Sequence, residues 1–135
     1  MRYNLTYSIL ALCLVVFSCS KTQIGVNTYD IDYGNSASFD KDKMITFVDV
    51  VGDSRCPIGV DCIWFGEATI SLRAVCAPGD TTNFELTFGD GINDHRDTTI
   101  FEIYRVELLD VTPYPQFGVE LEKEDYSIRV LIEKS

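Results

Sequence analysis

The residues best suited to chemistry lie together in Asp53-Ser54-Arg55-Cys56-Pro57-Ile58-Gly59-Val60-Asp61-Cys62-Ile63-Trp64-Phe65-Gly66-Glu67-Ala68. Cys56 and Cys62 flank a tight Pro-Ile-Gly-Val-Asp loop. Far upstream, Arg2 and the apolar run Leu5 to Phe17 read as a secretory signal. The run is too short for a membrane span, which takes roughly 18 or more apolar residues. In the oxidising setting beyond such a signal the two cysteines are expected to pair. Closing so small a loop contributes roughly 2 kcal/mol in the chain-entropy estimate. Arg55 has Asp53 and Asp61 close in sequence, enough for a local ion-pair cluster, and Trp64 is expected to cover the core beside the sulfurs. The segment therefore reads first as a folding clamp. Its functional reading is a rigid recognition loop, because a bridged turn loses little entropy on binding and Arg and Trp are common anchors.

Other candidate groups suggest less. In Ala68 to Cys76 the even positions are apolar and most odd ones polar, which puts Cys76 on the core side as a small hydrophobe with a spare thiol. Three cysteines and one distant His95 lack the paired spacing of a zinc site. His95 is the only histidine and sits in a turn-like segment, where a solvated role is expected. No spacing ties a nucleophile to it, and glycosidase carboxylate pairs are defined by separation in space rather than in sequence. Asp30 to Asn35 and Asp90 to Asp97 alternate acids as calcium loops do. Neither matches an EF-hand, and Lys41 stands where a closing Glu would be. They are read as surface turns. The chain is thus expected to be non-catalytic, with no metal and no cofactor.

These residues need a scaffold of strands. Thr28 to Tyr33 and Ala37 to Phe39 read as short strands around a Gly34-Asn35 turn, and Met44 to Val51 as a central strand apolar on both faces. Residues 67–76 and 83–88 read as a hairpin about Pro78-Gly79-Asp80. Ile103 to Val111 is the next long strand. Pro113-Tyr114-Pro115 must be loop, since neither proline can donate to a ladder. In the last strand Tyr126, Ile128, Val130 and Ile132 point one way, and Ser127, Arg129 and Glu133 the other. With no convincing helix after the signal, about seven short, mostly antiparallel strands predict a single all-β sandwich.

The N-terminal run ends Val16-Phe17-Ser18-Cys19. A small residue before a cysteine resembles the lipobox of bacterial lipoproteins, which are cut before the cysteine that then carries the lipid, although Phe17 is larger than the usual residue there. The resemblance implies a signal peptide over 1–18, lipidated Cys19 on a tether over 19–24, and the sandwich over 25–135. Two or three acyl chains hold a protein firmly. Ser20 after the cysteine resembles the sorting pattern for the outer membrane. The net charge of -10 becomes about -11 when Arg2 leaves with the signal. This balance argues against nucleic acid and against anionic head groups as partners.

The central segment resembles a signature, D-S-R-C-P then C-hydrophobic-W then G-x-A, of small uncharacterised lipoproteins and secreted domains of bacteria, particularly Bacteroidota. Tyr104-Arg105-Val106-Glu107-Leu108, Pro113-Tyr114-Pro115 and Tyr126-Ser127-Ile128-Arg129-Val130 share that likeness, which spans roughly residues 44–132. Phe65 stands where that family usually has Ala. The resemblance implies a β fold and brings no established activity. Asp80-Thr81-Thr82 and Asp97-Thr98-Thr99 resemble the Bacteroidota O-glycosylation acceptor, making Thr81 and Thr98, both in expected turns, candidate glycan sites. The combined expectation is an envelope lipoprotein that binds a protein or glycan partner through Arg55, Trp64 and Tyr114. A structural subunit of an envelope complex and an inhibitor of secreted proteases are the alternatives.

Overall fold

Eight strands arise where apolar and polar residues alternate: β1 (Val26–Asp32), β2 (Ser36–Asp40), β3 (Lys43–Asp53), β4 (Glu67–Ala77), β5 (Asp80–Gly89), β6 (Asp97–Ile100), β7 (Tyr104–Thr112) and β8 (Ser127–Lys134). The structure, a computed structural model, describes residues 26–77, 79–89 and 95–135. The signal, Cys19, the tether, Pro78 and residues 90–94 lie outside the described residues. Two four-stranded antiparallel sheets form, in the orders β1-β8-β7-β6 and β2-β3-β4-β5. They enclose one core that includes Ile31, Ile45, Phe47, Ile70, Leu72, Leu86, Val106, Leu108, Ile128 and Val130. The expected all-β sandwich is present.

The register explains where simple alternation misleads. β3 is central, but it is not buried on both faces: Ile45, Phe47 and Val50 are buried while Met44 and Val51 are exposed. Irregularities between Phe47 and Asp49 and between Val50 and Gly52 each insert an extra residue against β4. Each insertion shifts the inward phase by one, so apolar doublets stand in for strict alternation. β7 does the same between Leu108 and Asp110, which brings Val111 inward after Leu108 and leaves Leu109 exposed. In β8 the expected face holds, with Tyr126 just before the strand and Ile128, Val130 and Ile132 all buried.

Register also fixes which turns share an end. Val26 pairs with Glu133 and Tyr104 with Lys134, while Met44 pairs with Val75. The start of β1, the end of β8 and the β2–β3, β4–β5 and β6–β7 turns therefore lie at one end. Asp53 opposite Ala68, Gly89 opposite Glu67 and Thr112 opposite Ser127 mark the other end. That far end carries the β1–β2 turn (33–35) and two longer loops, β3–β4 (54–66) and β7–β8 (113–126).

A charged cluster closes the first end. The buried Tyr104 hydroxyl donates to Asp40 Oδ2, and Phe39 meets the Tyr104 ring edge-on at 5.3 Å. Lys43 and Lys134 each place Nζ 5.6 Å from that ring's centroid, and Lys43 lies 3.6 Å from Asp40. The Tyr104 hydrogen bond, then the Lys41 backbone N–H, holds the Asp40 carboxyl down at about 2, against a usual 3.8. A carboxylate with a lowered folded pKa adds stability that is complete above its unfolded value and is lost as pH falls toward the folded one. Between pH 4 and pH 2 the urea midpoint is therefore expected to drop further for the wild type than for Asp40→Asn. Parallel drops would show that Asp40 contributes nothing to acid sensitivity.

Candidate functional site

Two loops build the far end, and the β3–β4 loop is pinched at its neck. Ser54 N–H donates to the Glu67 carbonyl at 2.8 Å, and Glu67 N–H returns a bond to Ser54 Oγ at 3.2 Å. Gly66 is required there. A Cβ on it would stand 2.3 Å from the Ser54 carbonyl oxygen and 2.4 Å from Arg55 Cα. Within the loop Cys56 and Cys62 are joined as a disulfide, with Cα atoms 5.9 Å apart, as expected from their spacing.

Arg55 is the centre of the site, but not as a surface contact. Its residue is only 4% exposed. Nε and Nη2 grip both oxygens of Asp53, at 2.9 and 2.6 Å. Nη1 and Nη2 also donate to the carbonyls of Val111, at 2.6 Å, and Pro113, at 3.0 Å. The guanidinium lies 4.8 Å from the centroid of the Tyr114 ring. Asp53 in turn accepts from the Arg55 backbone N–H at 3.1 Å and from the Tyr126 hydroxyl at 3.0 Å. Burial, then the Asp53 charge beside it, pushes the Tyr126 phenol above its ordinary 10. Asp61 is exposed and stays outside this pair. Because a guanidinium has fixed, forked donors, one side chain can hold a carboxylate and two carbonyls, at the end of β7 and the start of the β7–β8 loop, together. Arg55 is thus a clasp between the two sheets' loops.

The loops also pair by backbone. Ile58 N–H donates to the Pro115 carbonyl at 2.9 Å, and Phe117 N–H donates to the Ile58 carbonyl at 3.2 Å. This short parallel bridge joins Ile58 to Gln116. Lys123 Nζ adds a bond to Asp49 on β3 at 2.6 Å.

This clasped end presents a concentration of apolar side chains to solvent. Of the twelve exposed large hydrophobic residues among those described, eight lie on these two loops: Ile58, Val60, Ile63, Trp64, Phe65, Tyr114, Phe117 and Val119. Ile63 is 100% exposed, Phe65 76% and Phe117 74%. Trp64 does not cover the core as expected. It is 56% exposed, held by its indole N–H, which donates to the Ser54 carbonyl at 3.1 Å. Isolated exposed hydrophobes are normal, whereas such a concentration makes this end the candidate site. Of the three expected contacts, Trp64 and Tyr114 are at the surface and Arg55 is beneath it. Ile63, Phe65 and Phe117 were missed, and the unusual Phe65 was the available signal.

The remaining candidates sit elsewhere. Cys76 is a free, half-buried thiol at the opposite end, not a core residue, because a register irregularity between Val75 and Ala77 takes it out of phase. Thr81 and Thr98 lie in β5 and β6 rather than in turns; both are edge strands, with Thr81 exposed and Thr98 half-buried. His95 is exposed, and its carbonyl accepts from Thr87 N–H at 2.9 Å. The first acidic cluster is not wholly a surface turn: Asp30 to Asp32 lie in β1, with Ile31 buried and Asp30 paired with Arg129 at 2.7 Å. Among the described residues no three of His, Cys, Asp and Glu gather as a metal site would need.

No protein-family model, curated protein or solved structure gives a significant match to the chain.

Removing one member of a buried ion pair leaves the other charged and unpaired, which costs about 3–5 kcal/mol. Arg55→Leu is expected to lose stability in that range by denaturant unfolding. Tyr126→Phe, which removes one hydrogen bond to the carboxylate, is expected to lose about 1 kcal/mol. A loss for Arg55→Leu no larger than that of Tyr126→Phe would mean that the clasp does not hold the loops.

Proposed function

We propose that the chain is a lipid-anchored, exported binding module of the bacterial cell envelope, non-catalytic, whose recognition surface is the loop tip. One observation carries this reading: eight exposed apolar side chains stand on two loops that a disulfide, a buried arginine and a backbone bridge hold together. Preorganised apolar anchors bind well because little freedom is lost when they are covered. The layout supports the anchor as well. β1 begins at Val26, at the end opposite the tip. A lipid on Cys19 would therefore hold the sandwich by its base and leave the tip pointing away from the membrane. The tether over 19–24, with Gly25, adds at most roughly 25 Å of extended chain.

The test is cross-linking of the native protein in living cells, followed by capture and mass spectrometry, beside an Ile63→Asp/Phe117→Asp variant. Both side chains are mostly solvated, so the variant is expected to unfold at the wild-type temperature. It is also expected to lose about tenfold or more of the recovered partner, as truncated hot spots do. Cys19→Ser is expected to abolish metabolic labelling with palmitate. Equal recovery by the tip variant would move recognition off the loops, and labelled Cys19→Ser would remove the anchor.

A further inference from the structure

We infer that the partner of the tip is a protein face whose apolar centre is ringed by lysine and arginine, an assignment that rests on the binding-module reading above. The tip has an apolar centre. Its indole N–H is already spent on Ser54, and its arginine on Asp53, Val111 and Pro113. The exposed charges on its two loops, the paired Lys123 aside, are of one sign. Asp61, Glu120, Glu122 and Glu124 are exposed on the two loops. The only cations on those loops are Arg55, which is buried, and Lys123, which is paired with Asp49 at 2.6 Å. Uncommitted charge on the tip is therefore negative, and a matching surface must bring cations to its rim.

Other occupants fit less well. Sugars are recognised through arrays of hydrogen bonds beside stacked rings; Trp64, Phe65, Tyr114 and Phe117 offer rings, but the aliphatic Ile58, Val60, Ile63 and Val119 between them supply no hydrogen bonds. An anionic bilayer is repelled by the acidic rim. A second copy would press two such rims together on chains of net charge -10, which is unfavourable. The chain's own apolar segment, Leu5 to Phe17, leaves with the signal when the chain is cut before Cys19, so the anchored protein does not carry it.

Trp64 is the only tryptophan in the chain, so its emission reports on the tip directly. The native full-length protein, held in discs of zwitterionic lipid, is titrated with an amphipathic helix of leucine and lysine, and then with its leucine and glutamate counterpart. The lysine peptide is expected to shift Trp64 emission to the blue and to bind about tenfold or more tighter than the glutamate peptide, weakening as salt rises. Ile63→Asp/Phe117→Asp separates docking from mere attraction. The variant is more acidic than the wild type, so general charge attraction would strengthen its binding, whereas docking on the tip predicts its loss. Glu120→Lys/Glu122→Lys is expected to narrow or invert the preference between the peptides.

Equal affinity for the two peptides, or undiminished binding by the aspartate variant, overturns the assignment. A Trp64 shift with zwitterionic vesicles alone would make the occupant a bilayer. A concentration-dependent dimer lost in the aspartate variant would make it a second copy. Failure here with cross-linking still running through the tip rejects the partner chemistry and leaves the binding module standing. Failure of both rejects the site.

Discussion

Arg55 and Asp53 form the ion pair on which the shape of the far end depends. Burying two charges costs several kcal/mol per ion after relaxation, and their mutual attraction alone does not reliably repay this. Here the pair is surrounded by further bonds: two carbonyls on the guanidinium, a phenol and a backbone amide on the carboxylate. These bonds reach from one sheet's loop to the other's. An apolar pair of equal volume could fill the space, but it could not hold the Val111 and Pro113 carbonyls. The polar clasp specifies one arrangement of two loops. The disulfide acts within one loop only, so it stiffens the tip without setting how the loops meet.

Much of the fold was legible because alternation is a direct consequence of strand geometry. The last strand reads true from Tyr126 to Ile132, and the 67–76 hairpin strand reads true through Ala74. Errors gather where a single extra residue breaks the phase. Phe47-Val48, Val50-Val51 and Leu108-Leu109 look like strands with two apolar faces, yet each doublet marks an inserted residue. Cys76 was misplaced for the same reason. β6 was missed because its hairpin turns through Phe101 and Glu102, both in the left-handed region at φ 49° and 63°. Neither residue type signals such a turn, which glycine and asparagine usually occupy.

The site was half legible. Cysteine spacing gave the bridge, and residue type pointed to Arg55 and Trp64. What spacing could not give was which of them faces water. Arginine usually does, and tryptophan usually does not. The reversal follows from Asp53 and the two carbonyls, one at the end of β7 and one in the β7–β8 loop, 56 and 58 residues away in sequence. Phe65 and Phe117 carry no polar signal at all, and only the closed path of the two loops shows that nothing covers them.

The pairing of β1 with β8 has a mechanical meaning. Seven residues from Val26 to Asp32 face partners from Glu133 down to Ser127, and the ladder bonds run across the strands. A pull entering at Val26 and opposed at the far end runs along β1, so every rung of the ladder is loaded together in shear instead of being unzipped one at a time. Under the proposed anchor and tip recognition, β1 is the strand that carries the tension between them.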